Sequence, residues 1–473
     1  MTNTKRISGA LAAACIALLA GCASAPADSG FADIETVARE RLGKDVKWNR
    51  SESDADEART AARKLLAQPL SADGAVQVAL LMNPGLQASY SELGIARSDL
   101  ARAGRLPNPR YSVLRTKYGN EVSKVEESIG IDVMSILTLP LRREMEGRRF
   151  ERVKQQVAGE VLRVAADTRR AWIQALAAAQ SAKYLEQVKA SAEAGAELGQ
   201  RMVQAGNWSR LAQMREHAFY ADATAQLARG REAAVVARER LTRMLGLEGA
   251  DVSYTLPDRL PDLPGALREI ADIEALAMQQ RADIAAARRE AEATAEALGL
   301  TRTTRLVNAL EIGRARTKEG PNPFSYGYEI RVELPLFDWG SSRVARAEAI
   351  YMQSVNRVAE TAVNARSEVR EAWSGYRSAF DLARHYRDEV VPLRKKISEE
   401  NLLRYNGMLT SVFELLADAR EQVTSVNAYI DALRNYWLAD ADLQIALTGR
   451  SGNFIGAAAL TSTTAPVAAA AGH

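Results

Sequence analysis

Cysteine and histidine are nearly absent from this chain of 473 residues, which contains two cysteines and three histidines. The histidines lie far apart, at positions 217, 385 and 473, and neither they nor the cysteines have the spacing of metal ligands. The sequence also lacks a Gly-rich phosphate loop after a strand, and it lacks the G-x-S-x-G and H-E-x-x-H signatures. These absences predict a protein that is not an enzyme and that has no cofactor and no metal site.

Long apolar runs are also missing. After the first twenty residues, no apolar run approaches the ~20 residues of a membrane-spanning helix, so any crossing of a membrane would not use helices. Aromatic residues make up only 6% of the chain, whereas Ala, Glu, Arg and Leu are abundant, which favours long helices over a compact α/β enzyme. The formal charge of +3 falls to +1 once Lys5 and Arg6 are removed with the signal described next. We therefore expect no nucleic-acid partner.

The N-terminus has the pattern of an export signal. Two basic residues precede an apolar segment that is too short to span a bilayer with ease, and this segment ends in Leu-Ala-Gly-Cys at residues 19–22. The tetrapeptide resembles the lipobox of bacterial lipoproteins. The resemblance predicts a signal peptide at residues 1–21 and a mature lipoprotein that carries palmitate on Cys22. Because Ala23 rather than Asp follows the cysteine, it also predicts sorting to the outer membrane. An ordinary signal that is cleaved nearby is the alternative.

The sequence repeats itself with an offset of roughly 200 residues. Leu-Pro-Leu at residues 139–141 returns at 334–336, and ARERLTRMLGL at 237–247 parallels ADADLQIALTG at 439–449. Between the copies, the proline-rich residues 256–265 predict a linker. The predicted segments are a signal peptide at 1–21, a lipidated N-terminal segment at 22–69, repeat one at 70–250, a Pro-rich linker at 251–267, repeat two at 268–449 and a disordered Ala-rich tail at 450–473.

Each copy is predicted to contain a helix, two strands, a very long helix, a tight turn and a long helix. The long helices are expected at residues 142–205, 209–246, 341–405 and 410–447, and the shorter helices at 74–104 and 268–300. In the first long helix, apolar residues recur at spacings of three and four, which favours coiled-coil-like packing against neighbouring helices. The strands are expected at 110–118, 127–137, 304–316 and 326–334. Four strands cannot close a barrel, and an open edge is not tolerated in lipid, so several copies must combine their strands.

The strand at 326–334 has the clearest alternation. Its even positions are Tyr, Tyr, Ile, Val and Leu, and its odd positions include Glu329, Arg331 and Glu333. A membrane barrel with this pattern turns its apolar face to lipid and its charged face to a water-filled lumen. We therefore predict these three charged residues in a barrel lumen, with a half-buried strand of a soluble sheet as the alternative. The swivel between barrel and helices is predicted at Pro140, Pro335 and Gly340.

Short motifs in both repeats resemble the TolC family of outer-membrane efflux proteins over residues 70–449. The motifs are NPGL at 83–86, RADI at 281–284, ELPLFDWG at 333–340, YNG at 405–407 and FELL at 413–416. The resemblance implies a mainly α fold with membrane β, in which a long α-helical barrel joins four strands per subunit. In a homotrimer these strands would form a twelve-stranded transmembrane β-barrel in outer membrane lipid. The resemblance also implies a periplasmic adaptor (a membrane fusion protein) and an inner-membrane pump as partners.

In this family the tips of the helical hairpins close the tunnel and contact the adaptor. The corresponding tip residues are Gly206, Trp208, Ser209, Gly407, Leu409 and Thr410. Glycine suits a tight turn here, and the hydroxyl groups can cap the following helix. Relatives carry acidic residues beyond the second tip, and the matching positions Glu414 and Asp418 lie four apart on one helix face. The two acids are predicted to form a periplasmic gate, and ordinary solvated helix charges are the alternative.

These features together predict an outer-membrane channel. It would be the exit duct of a tripartite efflux system, passively conducting small solutes from the pump and adaptor across the periplasm and the outer membrane. A type I protein-secretion duct is one alternative. A structural lipoprotein that bridges the periplasm without a pore is another, and the strands argue against it because a tether needs neither alternating segments nor aromatic girdles.

Overall fold

The computed structural model describes residues 30–119, 121–304, 310–332, 337 and 339–449. Its elements follow one another as α1 (Phe31–Leu42), α2 (Glu52–Leu66), α3 (Ala72–Met82), α4 (Pro84–Ala103), β1 (Arg110–Tyr118), β2 (Glu121–Asp132), α5 (Val133–Leu137), α6 (Leu139–Gln204), α7 (Arg210–Leu245), a short 3₁₀ turn (Gly249–Val252), α8 (Ile273–Gln280), α9 (Ala282–Thr303), β3 (Leu310–Glu319), β4 (Ser325–Val332), α10 (Ser341–His385), a π-helical turn (Tyr386–Val390), α11 (Val391–Asn406) and α12 (Val412–Thr448). Within these ranges, no helix has both the length and the apolar character that a bilayer crossing requires.

Two long helical hairpins dominate the structure. Helix α6 has 66 residues, which at 1.5 Å per residue corresponds to about 99 Å, and α7 runs back along it. Helices α10 and α11 form the outgoing arm of the second hairpin, and α12 forms its return. The structure therefore confirms the predicted fold class, a mainly α chain in which long helices join a small set of strands.

The second long helix follows the prediction for residues 341–405, since its backbone is helical from Ser341 to Asn406, with one local irregularity. A π-helical turn at Tyr386–Val390 lies between α10 and α11, two residues before Pro392. Proline has no amide hydrogen and its ring displaces the carbonyl four residues earlier, so a wider turn accommodates it. Helix α6 has its only proline, Pro140, within its first turn, where the missing amide hydrogen has no consequence.

The strands form one antiparallel sheet in the order β1-β2-β3-β4. Two of the predicted boundaries are wrong. Strand β2 occupies Glu121–Asp132 rather than 127–137, because Asp132 accepts a hydrogen bond from the Ser135 amide (3.0 Å) and starts the short helix α5. Strand β3 is described from Leu310, and it cannot start at 304 as predicted because α9 continues to Thr303 and Thr304 caps that helix.

Each helix predicted ahead of a strand pair is in fact two helices. At the first junction, Asn83 accepts a hydrogen bond from the Leu86 amide (3.0 Å) and donates one to the carbonyl of Met244 (2.8 Å). At the second junction, Arg281 donates to the carbonyl of Ala446 (3.0 Å). The motifs NPGL and RADI therefore have the same structural role, since each attaches a helix break to the last turn of the returning helix, α7 or α12.

Glycines end both returning helices at these junctions. Gly246 and Gly449 both have positive φ, at 68° and 87°. A Cβ on Gly246 would lie 2.6 Å from the carbonyl oxygen of Met82, and one on Gly449 would lie 2.6 Å from a carboxylate oxygen of Asp283. Only a residue without a side chain allows the helix end to approach the junction this closely.

The main apolar core lies where the N-terminal helices and the linker meet the middle of α6. The stripe predicted on α6 is buried there, including Val157, Val161 and Leu176. Trp172 joins this core and donates its indole hydrogen to the carbonyl of Leu70 (2.7 Å). The stripe therefore packs in a multi-helix core as well as along a neighbouring helix. The division of the chain into six segments stays a prediction.

Candidate channel surfaces and hairpin tips

The sheet has two chemically different faces. Strand register places alternate residues on each face, and one row across it reads Ser112, Ser128, Ala315 and Gly327. The Ser112 and Ser128 hydroxyls are 2.8 Å apart. On β3 the residues of this face are less exposed than their neighbours, so this side is the concave one. Small side chains on a concave face leave space in front of the sheet.

Charged residues of the concave face form a connected network. Arg331 donates to Glu311 (2.9 Å) and to Glu329 (2.6 Å), and Arg110 also contacts Glu311. Glu329 and Arg331 therefore lie on one face, as their spacing predicts. Glu311 joins the two ends of this network. It was missed from the sequence because only the strand register brings it beside Arg331 and Arg110.

The convex face is apolar near the helices. Ile131, Ile312 and Ile330 occupy neighbouring positions in one row across β2, β3 and β4. Ile330 is 68% exposed and Tyr328, on the same face, is 88% exposed. A soluble protein would bury such a row, whereas lipid or another apolar phase would cover it at no cost.

Two of the predicted swivel residues, Pro140 and Gly340, lie at the N-terminal ends of long helices. Gly340 has a φ of 76° and precedes the first residue of α10, so the left-handed turn needs a glycine there. Phe337 and Trp339 beside it are 99% and 65% exposed. Glu333 and Pro335, like Cys22, lie outside the described residues.

The first hairpin tip follows the expected pattern. Gly206 has a φ of 74°, and the hydroxyl of Ser209 caps α7 by accepting a hydrogen bond from the Ala212 amide (3.2 Å). Trp208 is half-buried, and a Cβ on Gly199 would lie 3.2 Å from its ring. The indole therefore covers the backbone of α6 at the tip.

The second tip differs from the prediction by one residue. Met408 rather than Gly407 takes the left-handed conformation, with a φ of 61°. Ser411 rather than Thr410 caps the following helix, and Thr410 instead donates to Glu414. Met408 and Leu409 are 93% and 81% exposed, so this tip presents two large apolar side chains.

Aligning the two repeats on their capping serines, Ser209 and Ser411, changes which acidic residues correspond. Seven residues beyond the capping serines lie Glu216 and Asp418, which are 2% and 7% exposed. Glu414 is exposed. Of the two predicted gate residues, Glu414 therefore faces solvent in the single chain, while Asp418 is buried within it.

A buried ion pair joins α7 and α12 above the tips. Arg420 donates to Glu216 (2.6 Å), and its guanidinium lies 4.6 Å from the centre of the Phe219 ring. The two partners are 204 residues apart, so only the tertiary structure reveals them. On α6, a hydrogen bond from Lys189 (2.7 Å) lowers the pKa of Glu193. These two ion pairs hold part of the charge of the hairpins between or along the helices.

In the described ranges, no group of three or more His, Cys, Asp or Glu side chains is arranged to hold a metal ion. The arrangement of the site is instead that of a wall, with a polar concave sheet, an apolar convex sheet and long helices that end in two tips.

Comparison with known proteins identifies the fold. No protein-family model and no curated protein sequence matches the chain. Solved structures do match: the outer membrane protein VceC of Vibrio cholerae (TM-score 0.67, 16% identity, 84% of this chain and 99% of that one), the open state of the MtrE outer membrane channel of Neisseria gonorrhoeae (0.65, 17%, 79% and 88%) and the outer-membrane channel OprN (0.67, 18%, 86% and 94%). The chain therefore has the fold of TolC-like outer membrane channels, which confirms the resemblance seen in the sequence motifs.

Proposed function

We propose that this protein is the outer-membrane exit duct of a tripartite efflux system and conducts small solutes passively. The observation that carries the proposal is the two-faced sheet at the end of helices about 99 Å long. A convex apolar face suits lipid, and a concave face of small and ion-paired residues suits water. Known outer membrane channels share the fold, which supports the same conclusion.

The edges of the sheet support an assembly of several subunits, which we propose to be a homotrimer. Strands β1 and β4 each have one side without a strand neighbour in the described chain. Lipid does not tolerate such edges, and pairing β4 of one subunit with β1 of the next would close them. The helices also expose apolar side chains that a contact between subunits would bury, since Val235, Val363 and Leu403 are 61%, 67% and 66% exposed.

The hairpin tips are the proposed contact with a periplasmic adaptor, which an inner-membrane pump would accompany. The second tip offers the stronger contact, because Met408 and Leu409 expose apolar surface that a partner would bury. Lipidation at Cys22 would add a membrane anchor to the barrel. The strands favour a duct over the poreless tether, and the protein-secretion duct stays the alternative.

Planar-bilayer recording of the purified trimer tests the proposal. We expect discrete channel conductance and, by gel migration without heating, a folded trimer. Protein that assembles but never conducts would favour the tether.

The gate is tested in the same recordings. We propose that Glu414 and Asp418 give the closed tunnel a preference for cations through their negative potential. Glu414→Gln with Asp418→Asn should lower that preference, and Glu414→Gln alone should have most of the effect because Glu414 is exposed. The control is Glu197→Gln with Glu400→Gln, which removes two exposed acids elsewhere on the hairpins. An unchanged cation preference in the first double variant rules the gate out.

A further inference from the structure

The convex face of the sheet becomes basic toward the hairpin turns. On β3 the isoleucine row is followed on the same face by Arg314, Arg316 and Lys318, all of them exposed. Arg115 of β1 lies in the same row as Lys318, with Val125 of β2 between them. These four cations are here called the basic band.

One cation of the basic band is neutralised within the sheet and three are not. Arg316 donates to Glu127 (2.6 Å), whose side chain is only 17% exposed. Among the described residues, Arg115, Arg314 and Lys318 have no carboxylate partner. Arg314 instead lies 5.2 Å from the ring of Tyr326. Within the part of the chain that the structure describes, the band therefore has a net positive charge without carboxylate partners.

The upper end of the basic band, at Lys318 and Arg115, matches the height of lipid headgroups, given the membrane orientation of the proposed function. Six residues from Ile312 to Lys318 span ~20 Å along a strand, or ~14 Å of height at a 45° tilt. Half of a bilayer hydrocarbon core is ~15 Å thick. With the isoleucine row at the midplane, Lys318 reaches the headgroups, and Arg314 reaches toward them by extending its long side chain.

Two tyrosines continue the apolar surface below the upper end of the band. Arg314 pairs in register with Tyr328 and Arg316 with Tyr326, and both rings are strongly exposed. By the same geometry the two tyrosines lie ~5 and ~9 Å above the isoleucine row, within the hydrocarbon. The cations beyond them meet anionic groups that are covalently attached to acyl chains.

We propose that the basic band binds the phosphate groups of a multiply phosphorylated outer-leaflet lipid, whose acyl chains lie along the isoleucine and tyrosine surface below. Arg115, Arg314 and Lys318 supply the free charge, and a guanidinium can bind a phosphate through two parallel hydrogen bonds. The inference rests on the proposed function, because it needs the convex face to contact the membrane.

The test uses the full-length trimer in dodecyl maltoside and measures lipid binding by native mass spectrometry. The probes are diphosphoryl lipid A, monophosphoryl lipid A and phosphatidylcholine. We expect the diphosphoryl form to bind most tightly and Arg314→Gln with Lys318→Gln to weaken it about 30-fold, since each cation near an anionic surface contributes a comparable factor. Lys183→Gln with Arg201→Gln, a control that removes two exposed cations from the helices, should leave binding unchanged.

The charge-conserving variant Arg314→Lys with Lys318→Arg should retain binding, which guards against a loss caused by misfolding. Equal binding of all three lipids, or unchanged binding in the Arg314→Gln/Lys318→Gln variant, overturns the inference. Displacement of the lipid by millimolar inorganic phosphate also overturns it, because the site would then recognise a soluble anion. Conductance of the same preparation separates a failure of this inference from a failure of the proposed function. A trimer that conducts but shows no lipid preference contradicts the lipid site and still supports the exit duct.

Discussion

Loss of Arg281 should destabilise the protein more than any other change at the helix junctions. Arg281 is 3% exposed, and its side chain makes four hydrogen bonds. Two go to Asp283 (3.0 and 2.6 Å), one to Glu368 (2.8 Å) and one to the carbonyl of Ala446 (3.0 Å). Substitution by Met would fill similar volume but leave Asp283, whose side chain is 10% exposed, as a buried carboxylate without its partner.

Breaking a buried ion pair in this way costs about 3–5 kcal/mol of unfolding free energy. Asn83→Ala at the equivalent junction removes only neutral hydrogen bonds and a helix cap, at a cost of about 1–2 kcal/mol. Adding Asp283→Asn to Arg281→Met should recover part of the loss, because the orphaned charge disappears. Guanidinium unfolding, followed by helical circular dichroism at one fixed trimer concentration, measures all of these variants. A smaller loss for Arg281→Met than for Asn83→Ala would refute the reasoning.

Three further changes have defined outcomes. Gly246→Ala should lower the free energy of unfolding clearly more than Gly43→Ala in the same assay. Both positions have positive φ, so each substitution introduces left-handed strain of about 1–2 kcal/mol, but only at Gly246 would the Cβ also collide with other atoms. Ile330→Arg should destabilise the folded protein by about 2–4 kcal/mol per subunit at the membrane midplane and impair trimer assembly on unheated gels. Ala315→Arg on the concave face should leave assembly unchanged. The reverse result would mean that the two faces are assigned wrongly. Burial raises the pKa of Asp440, so the ionised carboxylate destabilises the fold. Asp440→Asn should therefore raise Tm by an amount that grows from about pH 4 up to the folded-state pKa and is constant above it. An equal rise in Tm at pH 3 would contradict this reasoning.

The long helices and the two faces of the last strand could be predicted because their signals are local. A narrow apolar stripe marks α6, and strict alternation marks β4, so each element is specified by residues within its own length. The N-terminal cap of α7 is equally local, since Gly206 and Ser209 are the residue types that a tight turn and a helix cap prefer.

The errors lie where one side chain overrides a pattern. Asp132 ends β2 by capping a new helix, although the apolar residues beyond it continue a strand-like sequence. Met408 takes a conformation that favours glycine although Gly407 is its neighbour, so the whole second tip shifts by one residue. Neither choice follows from propensity, because the energy differences of about 1 kcal/mol are smaller than those of tertiary packing.

Contacts between residues that are distant in the sequence could not be predicted, for a different reason. Glu311 is one of many acids in the sequence, and only the strand register brings it to Arg331 and Arg110. Glu216 and Arg420 belong to different repeats, and their pairing depends on how α7 and α12 meet at the tips. With one sequence, such pairs have no local signature.

The irregular features of the hairpins are concentrated in the second repeat. Helix α6 is regular for 66 residues, whereas its counterpart contains the π-helical turn before Pro392. The second tip also holds Met408 in the left-handed region, a strain of about 1–2 kcal/mol that the first tip avoids with Gly206. A π-helical turn weakens the regular hydrogen-bond ladder, so α10 and α11 bend there more readily than α6 bends anywhere along its length. If the tunnel opens by movement of one hairpin, these two features make the second hairpin the one that moves at the lower energetic cost.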